Sequence, residues 1–315
     1  MKKNQHMKYA LECKTNNSLN DIRLKYFSMP EISMDEIDIS TSFCGIDFKY
    51  PIYINAMTGG SENADNINKR LEYISKKLEI FMFSGSYTPN LNNNNNKYYY
   101  PKNMGVNLGA DKSIDDMKKA INETNAKIIQ IHLNPMQELM MVDGDRNFKA
   151  YTKNISLAIK SLDIPIILKE TGYGMNGKTI EKAINFGIKT IDISGKGGTN
   201  FSYIEDKRAN KNREYMYEIG YTTKESLLSS IKYQDRVEIL ASGGIESPMD
   251  IVKCLSMGAK AVGMSGHILK LLNKYDDDDK IIEIIKEYIN EIKILMCITN
   301  SKNLKELKGK WEEVK

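Results

Sequence analysis

Eight short apolar runs of β type, separated by helical segments, constrain the fold of this chain more than any other feature. They follow one another from residue 50 onward. Their apolar residues are nearly continuous, which is typical of parallel strands covered on both faces. The runs are PIYINAM, IFMFSGS, MGVNLGA, IIQIHL, IPIILKE, TIDISG, VEILASGG and AVGMSG.

The alternation of runs and helical segments predicts how the strands pair. Strand, helix and strand form a right-handed βαβ unit, and eight such units are the number that closes a barrel. We predict an α/β fold of the (β/α)8 TIM-barrel class, with an open doubly wound sheet as the alternative. Helix start and stop signals lie between the strands: Ser113 with Asp116, Thr222 with Glu225, Ser247 and Pro248 with Asp250, and Gly258.

Two segments lie outside this repeat. Residues 1–49 are an N-terminal extension with one or two predicted helices, and residues 267–315 contain IIEIIKEYINEIKILM, whose spacing predicts an amphipathic helix packed on the barrel. Neither segment resembles a second domain. We predict one domain over residues 1–315, with the barrel in residues 50–266, and a loop at the asparagine run 92–96 between the second and third barrel strands.

Charge and cysteine content argue against several functional classes. The 45 Lys and Arg residues against 41 Asp and Glu give a net charge of +4, spread without the basic block of a nucleic-acid surface. The four cysteines are far apart and match neither a disulfide framework nor a zinc site. Neither a membrane span of ~18 apolar residues nor a signal peptide is present, so we expect a soluble cytoplasmic protein.

Polar residues follow almost every predicted strand. In a barrel the carboxyl ends of the strands form the active face, so these residues should converge on one site. The strand ends are Thr58-Gly59-Gly60, Ser84-Gly85-Ser86, Asn107-Leu108-Gly109, His132 to Glu138, Lys169-Glu170, Ser194 to Thr199, Ser242-Gly243-Gly244 and Ser265-Gly266.

Glycine-rich segments follow the last three strands. Small residues in GKGGTN, ASGGIESP and GMSGH let backbone N–H groups approach a phosphate, helped by a helix N-terminus. Each glycine pair alone indicates only a turn, but the combination after strands seven and eight predicts a phosphorylated ligand or cofactor.

The pattern resembles a known family, the type 2 isopentenyl-diphosphate delta-isomerases, which are FMN-dependent barrels. The resemblance covers nearly the whole chain, with the motifs in the family's order. These are INAMTGG, QIHLNPMQELMMVDGDRNF, KETGYGM, ISGKGGTNFSYIEDKR and ASGGIESPMDIVKCLSMGAKAVGMSG, with KKNQHMKYALE at the N-terminus.

The resemblance implies an enzyme that moves a double bond in isoprenoid biosynthesis. A proton is added to the terminal alkene carbon of isopentenyl diphosphate and another is removed from C2, which gives dimethylallyl diphosphate without net redox change. In the family, reduced FMN is the acid/base partner, Mg²⁺ binds the diphosphate, and NADPH only reduces the flavin. Family members form tetramers or octamers, so a homo-oligomer is implied.

The resemblance places much of the substrate site after the fourth strand. Gln137 would lie beside the allylic carbons, His132 and Asn134 would bind the diphosphate or orient neighbours, and Glu138 would hold Mg²⁺. A histidine such as His132 alone is more often an ordinary hydrogen-bonded residue, but the His-x-Asn-x-x-Gln-Glu pattern around it favours a site residue. Glu138, with Asp143, could instead cap the following helix.

Two further residues have implied catalytic roles. Lys169 would lie near the N1 and C2 carbonyl end of the flavin, where a fixed cation stabilises an anionic reduced ring. Its alternative is a surface lysine whose stem packs on apolar neighbours. Glu205 matches a family glutamate near the substrate, and its alternative is a helix-surface ion pair with Arg208 or Lys207.

The remaining implied residues would bind FMN. Thr58, Ser86 and Asn107 would hydrogen-bond the ring edge or the ribityl chain. The phosphate would be bound by Thr199, Gly243, Gly244, Ser265 and Gly266, and the other predicted cofactor contacts are Met57, Gly59, Lys169 and Ser194.

The sequence departs from the family pattern at three positions. Lys2, beside Lys3, stands where the family usually has Arg, so both lysines are predicted diphosphate partners without a bidentate fork. Glu246 stands where Arg is common, and its carboxylate should point away from the cofactor phosphate. Tyr221 replaces a Trp.

Two other functions are compatible with parts of the sequence. FMN barrels of the 2-hydroxy acid oxidase type use a His-Gly-Gly-Arg segment, but the comparable run here is Lys196-Gly197-Gly198-Thr199. A non-catalytic FMN-binding paralogue would be expected to lose Gln137 or Glu138, and both are present.

Overall fold

The computed structural model describes residues 2–92 and 97–314, with side chains from residue 5 onward. Residues 93–96 of the asparagine run and the side chains of Lys2 and Lys3 therefore lie outside the described part. The N-terminal segment contains the predicted helix and three short strands that were not predicted. Its elements are α1 (Lys2–Glu12), β1 (Ile22–Leu24), a 3-10 turn (Met34–Glu36), β2 (Thr41–Phe43) and β3 (Ile46–Phe48).

All eight predicted strands form, and they close into a parallel barrel. Each strand pairs with its sequence neighbours, and the last pairs with the first, in the order β10-β11-β4-β5-β6-β7-β8-β9. The prediction of a (β/α)8 barrel is therefore confirmed, and the open sheet is wrong. The strands are β4 (Ile52–Ile54), β5 (Phe81–Ser86), β6 (Gly105–Gly109), β7 (Ile128–Leu133), β8 (Ile166–Glu170), β9 (Thr190–Asp192), β10 (Glu238–Ser242) and β11 (Ala261–Met264).

Helices follow the strands and cover the outside of the barrel. The three predicted N-caps each accept a backbone N–H and form capping boxes, at Ser113, Thr222 and Ser247. The helices are α2 (Glu62–Leu78), α3 (Thr88–Leu91), α4 (Ile114–Thr124), α5 (Pro135–Met140), α6 (Lys149–Ser161), α7 (Gly177–Phe186), α8 (Phe201–Ala209), α9 (Thr223–Ser230), α10 (Pro248–Ser256) and α11 (Gly266–Lys274).

The C-terminal segment packs on the barrel and returns to the N-terminal segment. The predicted amphipathic helix is α12 (Asp278–Ile298), which packs between α2 and α10, and a short α13 (Leu304–Leu307) follows it. The last strand, β12 (Trp311–Glu313), pairs antiparallel with β1. No helix within the described ranges has the length and apolar character needed to span a bilayer.

The β2–β3 hairpin closes the amino-terminal end of the barrel. The buried ring of Phe43 stacks on Phe48 at a centroid distance of 4.2 Å and packs against Tyr53 inside the barrel. The backbone N–H of Cys44 donates to Glu238, the first residue of β10. The apolar lower half of the barrel is thus sealed, and the open end is the carboxyl end.

Candidate active site

A cavity of about 440 Å³ opens at the carboxyl ends of the barrel strands. Residues that follow all eight strands line it, and α1 and α11 supply the rest of the wall. Most of the predicted site residues meet here: Met57, Thr58, Ser86, Asn107, His132, Asn134, Gln137, Glu138, Lys169, Ser194, Thr199, Gly243, Gly244, Ser265 and Gly266.

His132 lies at the end of β7, with its ring held by a neighbouring strand. Its Nδ1 atom is 2.7 Å from Oδ1 of Asn107 on β6. The strand register pairs His132 with Gly109, where an added Cβ atom would lie 3.3 Å from His132 Nε2 and 2.2 Å from Asp111 Oδ1. The glycine therefore leaves room for the imidazole and the carboxylate to approach each other.

The short helix α5 places two polar side chains on the cavity wall. Pro135 begins this helix with its φ angle already fixed, and Gln137 and Glu138 follow in the first turn. One Glu138 oxygen accepts from Asn134 Nδ2 at 2.8 Å, and the other accepts from the backbone N–H of Asp145 at 2.9 Å. Glu138 thus holds the loop after α5 rather than capping the next helix.

A buried ion network lies behind Gln137. Glu205 on α8 is 2% exposed and accepts from Arg208 and, at 3.4 Å, from Gln137 Nε2. His6 of α1 lies 2.8 Å from both the Glu205 carboxylate and an Arg208 nitrogen. The Arg208 partner expected for Glu205 is present, but the pair is buried and joins α1, α5 and α8.

Lys169 projects into the barrel mouth and not onto the surface. The side chain is 6% exposed and donates to Ser194 Oγ at 3.1 Å and to the backbone carbonyl of Glu170. Burial raises the pKa of Glu170 to about 7, although three backbone N–H groups donate to this carboxylate and act to lower it. The lysine is a fixed cation at the bottom of the cavity.

The glycines after β9 and β10 pack backbone against backbone. A Cβ atom on Gly243, which has φ of +102°, would lie 1.9 Å from the carbonyl oxygen of Gly195. One on Gly198 would lie 3.0 Å from the backbone N of Gly244. A Cβ atom on Gly266, the first residue of α11, would meet only the Thr199 hydroxyl, at 3.7 Å. The N-terminal end of this helix is therefore open to the cavity. This wall of bare backbone fits a phosphate group.

Glu246 lies in the cavity wall next to these glycines, where we expected its side chain to point away. Its Oε1 atom accepts from Thr15 at 2.6 Å and from Lys270 at 2.5 Å. Burial acts to raise the pKa of Glu246, but the hydrogen bonds from Lys270 and Thr15 outweigh it and hold the pKa below its ordinary value. The ion pair with Lys270 offsets the negative charge of Glu246.

Known proteins match most of this chain in sequence and in fold. Residues 90–312 match the model of the FMN-dependent dehydrogenase family. An isopentenyl-diphosphate delta-isomerase from Streptococcus mutans is 41% identical over 98% of this chain and 95% of its own length. The chain belongs to the isopentenyl-diphosphate delta-isomerase family. The isomerase from Streptococcus gordonii is 39% identical, again over 98% of the chain and 94% of its own.

Solved structures of more distant flavoproteins share the isomerase family's fold. The flavin-binding domain of baker's yeast flavocytochrome b2 superposes with a TM-score of 0.66 at 16% identity, covering 98% of this chain and 82% of that one. A mandelate oxidase variant gives a TM-score of 0.63 at 13% identity, covering 99% and 90%. At this identity the likeness concerns the barrel alone.

A few residues singled out from the isomerase family's motifs do not line the cavity. Gly59 packs under Tyr100, whose hydroxyl would lie 2.6 Å from an added Cβ atom. Glu205 lies behind the wall, and Tyr221 is 42% exposed at the surface. Gly59 therefore contributes to the wall by allowing close packing.

Other residues of the isomerase cavity were not singled out from the sequence. Asp111 and Lys112 follow β6, and His267 follows β11, so reading one to three residues further past these strand ends would have found them. His6 and Lys270 lie on α1 and α11 and reach the cavity only because those helices fold across its mouth.

Proposed function

We propose that this chain interconverts isopentenyl diphosphate and dimethylallyl diphosphate. The chemistry requires one proton on the terminal alkene carbon and the loss of another from C2. Full-length similarity to named isomerases supports this reaction. The observation that carries the proposal is that Gln137, Glu138 and Lys169 line one cavity whose opposite wall is bare glycine backbone.

FMN is the cofactor that this cavity fits. When bound in its reduced form, FMN supplies an electron-rich ring that gives and takes a proton. Lys169 would supply positive charge to the ring, because its ammonium is buried and fixed by Ser194. The phosphate would be held by the backbone of Gly243, Gly244 and Gly266, with Thr199 and Ser265 beside them. Met57, Thr58, Ser86 and Asn107 would contact the ring edge or the ribityl chain.

Substrate binding is assigned to the opposite side of the cavity. Gln137 would contact the allylic carbons, and His132 and Asn134 would bind or orient the diphosphate, since all three line the cavity. Glu205 would act by holding Gln137 in place. Lys2 and Lys3 would add positive charge, since they begin the helix that carries His6 to the cavity.

Glu138 would hold Mg²⁺ through its carboxylate. The described residues contain no group of three or more His, Cys, Asp or Glu side chains that could hold a metal ion. One carboxylate is enough for Mg²⁺, which commonly takes one or two and completes its shell with phosphate oxygens and water. NADPH is proposed only as the reductant of FMN.

The test is a product assay with purified protein, FMN, Mg²⁺ and NADPH. We expect dimethylallyl diphosphate only when the flavin is reduced, with many turnovers for each NADPH consumed. Stoichiometric NADPH loss without this product would mean a redox enzyme. The expected roles of Gln137 and Glu138 would then be withdrawn.

The segment comparable to the oxidase His-Gly-Gly-Arg run does not supply the histidine base that an oxidase uses. Lys196 occupies the position where that class has its histidine, and its ammonium donates to the backbone carbonyl and carboxylate of Glu218. An acid/base role for Lys196 would require these bonds to break.

We also propose that residues 1–315 act as one FMN-binding domain, in the cytoplasm, as a homotetramer or homo-octamer. The packing of both flanking segments on the barrel supports the single domain. The homo-oligomer is what the resemblance to the family implies. Sedimentation of the FMN-loaded protein would measure its mass.

A further inference from the structure

A buried chain of three amide side chains connects His132 to Asp192 across the interior of the barrel. His132 Nδ1 lies 2.7 Å from Asn107 Oδ1, and Asn107 Nδ2 lies 3.2 Å from Gln130 Oε1. Gln130 Nε2 lies 3.0 Å from Asn55 Oδ1, and Asn55 Nδ2 lies 2.7 Å from Asp192 Oδ2. The four hydrogen bonds form one continuous series that begins at the cavity and ends at a carboxylate.

The carboxylate end of this series has a fixed hydrogen-bonding polarity. Asp192 is fully buried and accepts from the backbone N–H of Ser194 and from the hydroxyls of Tyr53 and Ser242. An ionised carboxylate accepts and never donates. Asn55 must therefore turn its NH₂ group toward Asp192 and its carbonyl oxygen away.

A second contact sets the same orientation independently. The backbone N–H of Ala56 donates to Asn55 Oδ1 at 2.9 Å, and a backbone N–H can only donate. Asn55 Oδ1 is thus an acceptor on two grounds. Gln130 must then donate through Nε2, which leaves Gln130 Oε1 to accept from Asn107.

Burial keeps this polarity from being lost to solvent. Asn55, Gln130 and Asp192 are each 0% exposed, and Asn107 is 4% exposed. A reversed amide would bring two donors or two acceptors together in a place that water does not reach. Leaving a buried polar group without a hydrogen-bond partner is unfavourable, so one orientation dominates.

We infer that the Asp192 carboxylate and the Ala56 N–H together fix the tautomer of His132 through the three intervening amides, with the hydrogen on Nδ1. Asn107 presents Oδ1 to the imidazole, so Nδ1 donates and keeps its hydrogen in both the neutral and the charged ring. Nε2, beside Gly109 and Asp111, is then the nitrogen that gains or loses the exchangeable proton. Asp192 and Gln130 are positioning residues, and their effect on turnover rests on the proposed function.

Nitrogen NMR of the FMN-loaded protein tests this inference directly. The chain has three histidines, so ¹⁵N-histidine labelling gives few signals, and His132→Gln identifies those of His132. We expect a protonated Nδ1 for His132 at every pH of the titration. A neutral ring protonated on Nε2 would overturn the inference.

One variant interrupts the series and one leaves it intact. Gln130→Met has a similar length but cannot pass the hydrogen-bond polarity on, so the Asn107 amide becomes free to turn and a neutral Nε2–H form should appear. Ser242→Ala removes a different donor to Asp192 and should leave the His132 signals unchanged. Unchanged His132 signals in Gln130→Met would refute the series.

Kinetics separate this inference from the proposed function. In Gln130→Met we expect kcat/KM to fall on the order of tenfold, because the proposed function assigns His132 to binding or orienting the diphosphate and the other tautomer changes which ring nitrogen carries the hydrogen. A wild-type protein that has the expected Nδ1–H signal but forms no dimethylallyl diphosphate would refute the proposed function alone. Normal kcat/KM in Gln130→Met with an altered tautomer would refute the catalytic consequence alone.

Discussion

At the scale of single residues, Gln137 has few interactions that would explain its presence other than ligand binding. Among the described residues, its side-chain hydrogen-bond partner is Glu205, at a long 3.4 Å. We predict that Gln137→Ala retains FMN but lowers isomerisation about 100-fold or more, because the change removes a substrate contact and no cofactor contact. Flavin absorbance and product formation measure the two effects. Leu139→Ala, an exposed position on the same helix, is the control, and full turnover in Gln137→Ala would contradict the assignment.

Glu138 gives a prediction about metal affinity. Glu138→Gln keeps an oxygen for Asn134 but removes the negative charge, so the Mg²⁺ concentration for half-maximal rate should rise about tenfold or more. Magnesium titration at saturating substrate measures the shift. Glu181→Gln makes the same change on an exposed face of α7 and should leave the titration alone. An unchanged titration in Glu138→Gln would remove this residue as a ligand.

Glu170 gives a prediction about stability and pH. Its pKa is raised by burial from 4.5 to about 7, so the folded protein binds a proton that the unfolded chain has already released in this range. The free energy of unfolding should therefore fall as the pH rises from about 4.5 to about 7, by on the order of 3 kcal/mol from this group. In Glu170→Gln this part of the slope should vanish. Urea unfolding of both proteins at about pH 5 and about pH 8 measures it, and equal slopes would contradict the prediction.

Single residues also show what the sequence could and could not reveal about the site. Polar residues at strand ends, such as His132 and Lys169, were predictable because a strand that ends at the barrel mouth must aim its last side chains there. His6 was not predictable. It meets Glu205 across 199 positions of sequence, and only the packing of α1 on α8 brings the two together.

At the scale of elements, the strands of the barrel were predictable and those of the N-terminal segment were not. The barrel strands are buried on both faces, which leaves a run of apolar residues in the sequence. Strands β2 and β3 have three residues each, too few for a periodic pattern, and their turn is made by Cys44 at φ of +56° and Gly45. The hairpin forms because Phe43 and Phe48 pack into the barrel end.

The hairpin gives a prediction that stability falls while catalytic activity is kept. Phe43 is 1% exposed, so Phe43→Ala leaves a cavity at the amino-terminal end of the barrel and should lower the free energy of unfolding by about 3–5 kcal/mol. The active cavity lies at the opposite end, so kcat at low temperature should stay near the wild-type value. Denaturant unfolding and the product assay measure both. Phe27→Ala, at a position that is 38% exposed, is the matched control and should cost far less.

The N-terminal segment is tied to the cavity wall by contacts that its own composition does not suggest. The backbone N–H of Asn16 donates to Gly197, and Asn17 donates to Asp250 at the start of α10. Thr15 completes the ion pair of Glu246. These bonds hold α1 across the mouth of the barrel, next to the glycine wall proposed for the phosphate.

At the scale of the whole molecule, closure of the barrel follows from the number of strands, but the pairing of the two chain ends does not. Eight right-handed βαβ units place the last strand beside the first, and β11 pairs with β4 as this requires. The pairing of β1 with β12 joins residues almost 290 positions apart. Nothing in the sequence of either three-residue strand specifies the other.

This pairing gives the last prediction. Ile22 and Leu24 are 1% and 7% exposed beneath the pairing of β1 with Trp311–Glu313, and deletion of residues 311–315 would expose them. We expect the free energy of unfolding to fall by about 2–4 kcal/mol, because partial exposure of two aliphatic side chains costs about that much. Glu312→Gln breaks only the exposed ion pair with Arg23 and should change stability by about 0–1 kcal/mol.

The turnover of the truncated protein shows whether the paired chain ends stabilise the whole barrel or position α1. The cavity is lined by α1, α11 and the strand ends, and residues 311–314 are not among the residues that line it. A truncated protein that unfolds more easily in urea but turns over normally at low temperature would mean that the paired ends stabilise the barrel as a whole. Loss of turnover in the folded truncated protein would instead mean that β1, through residues 13–21 that follow α1, sets the position of α1 over the cavity.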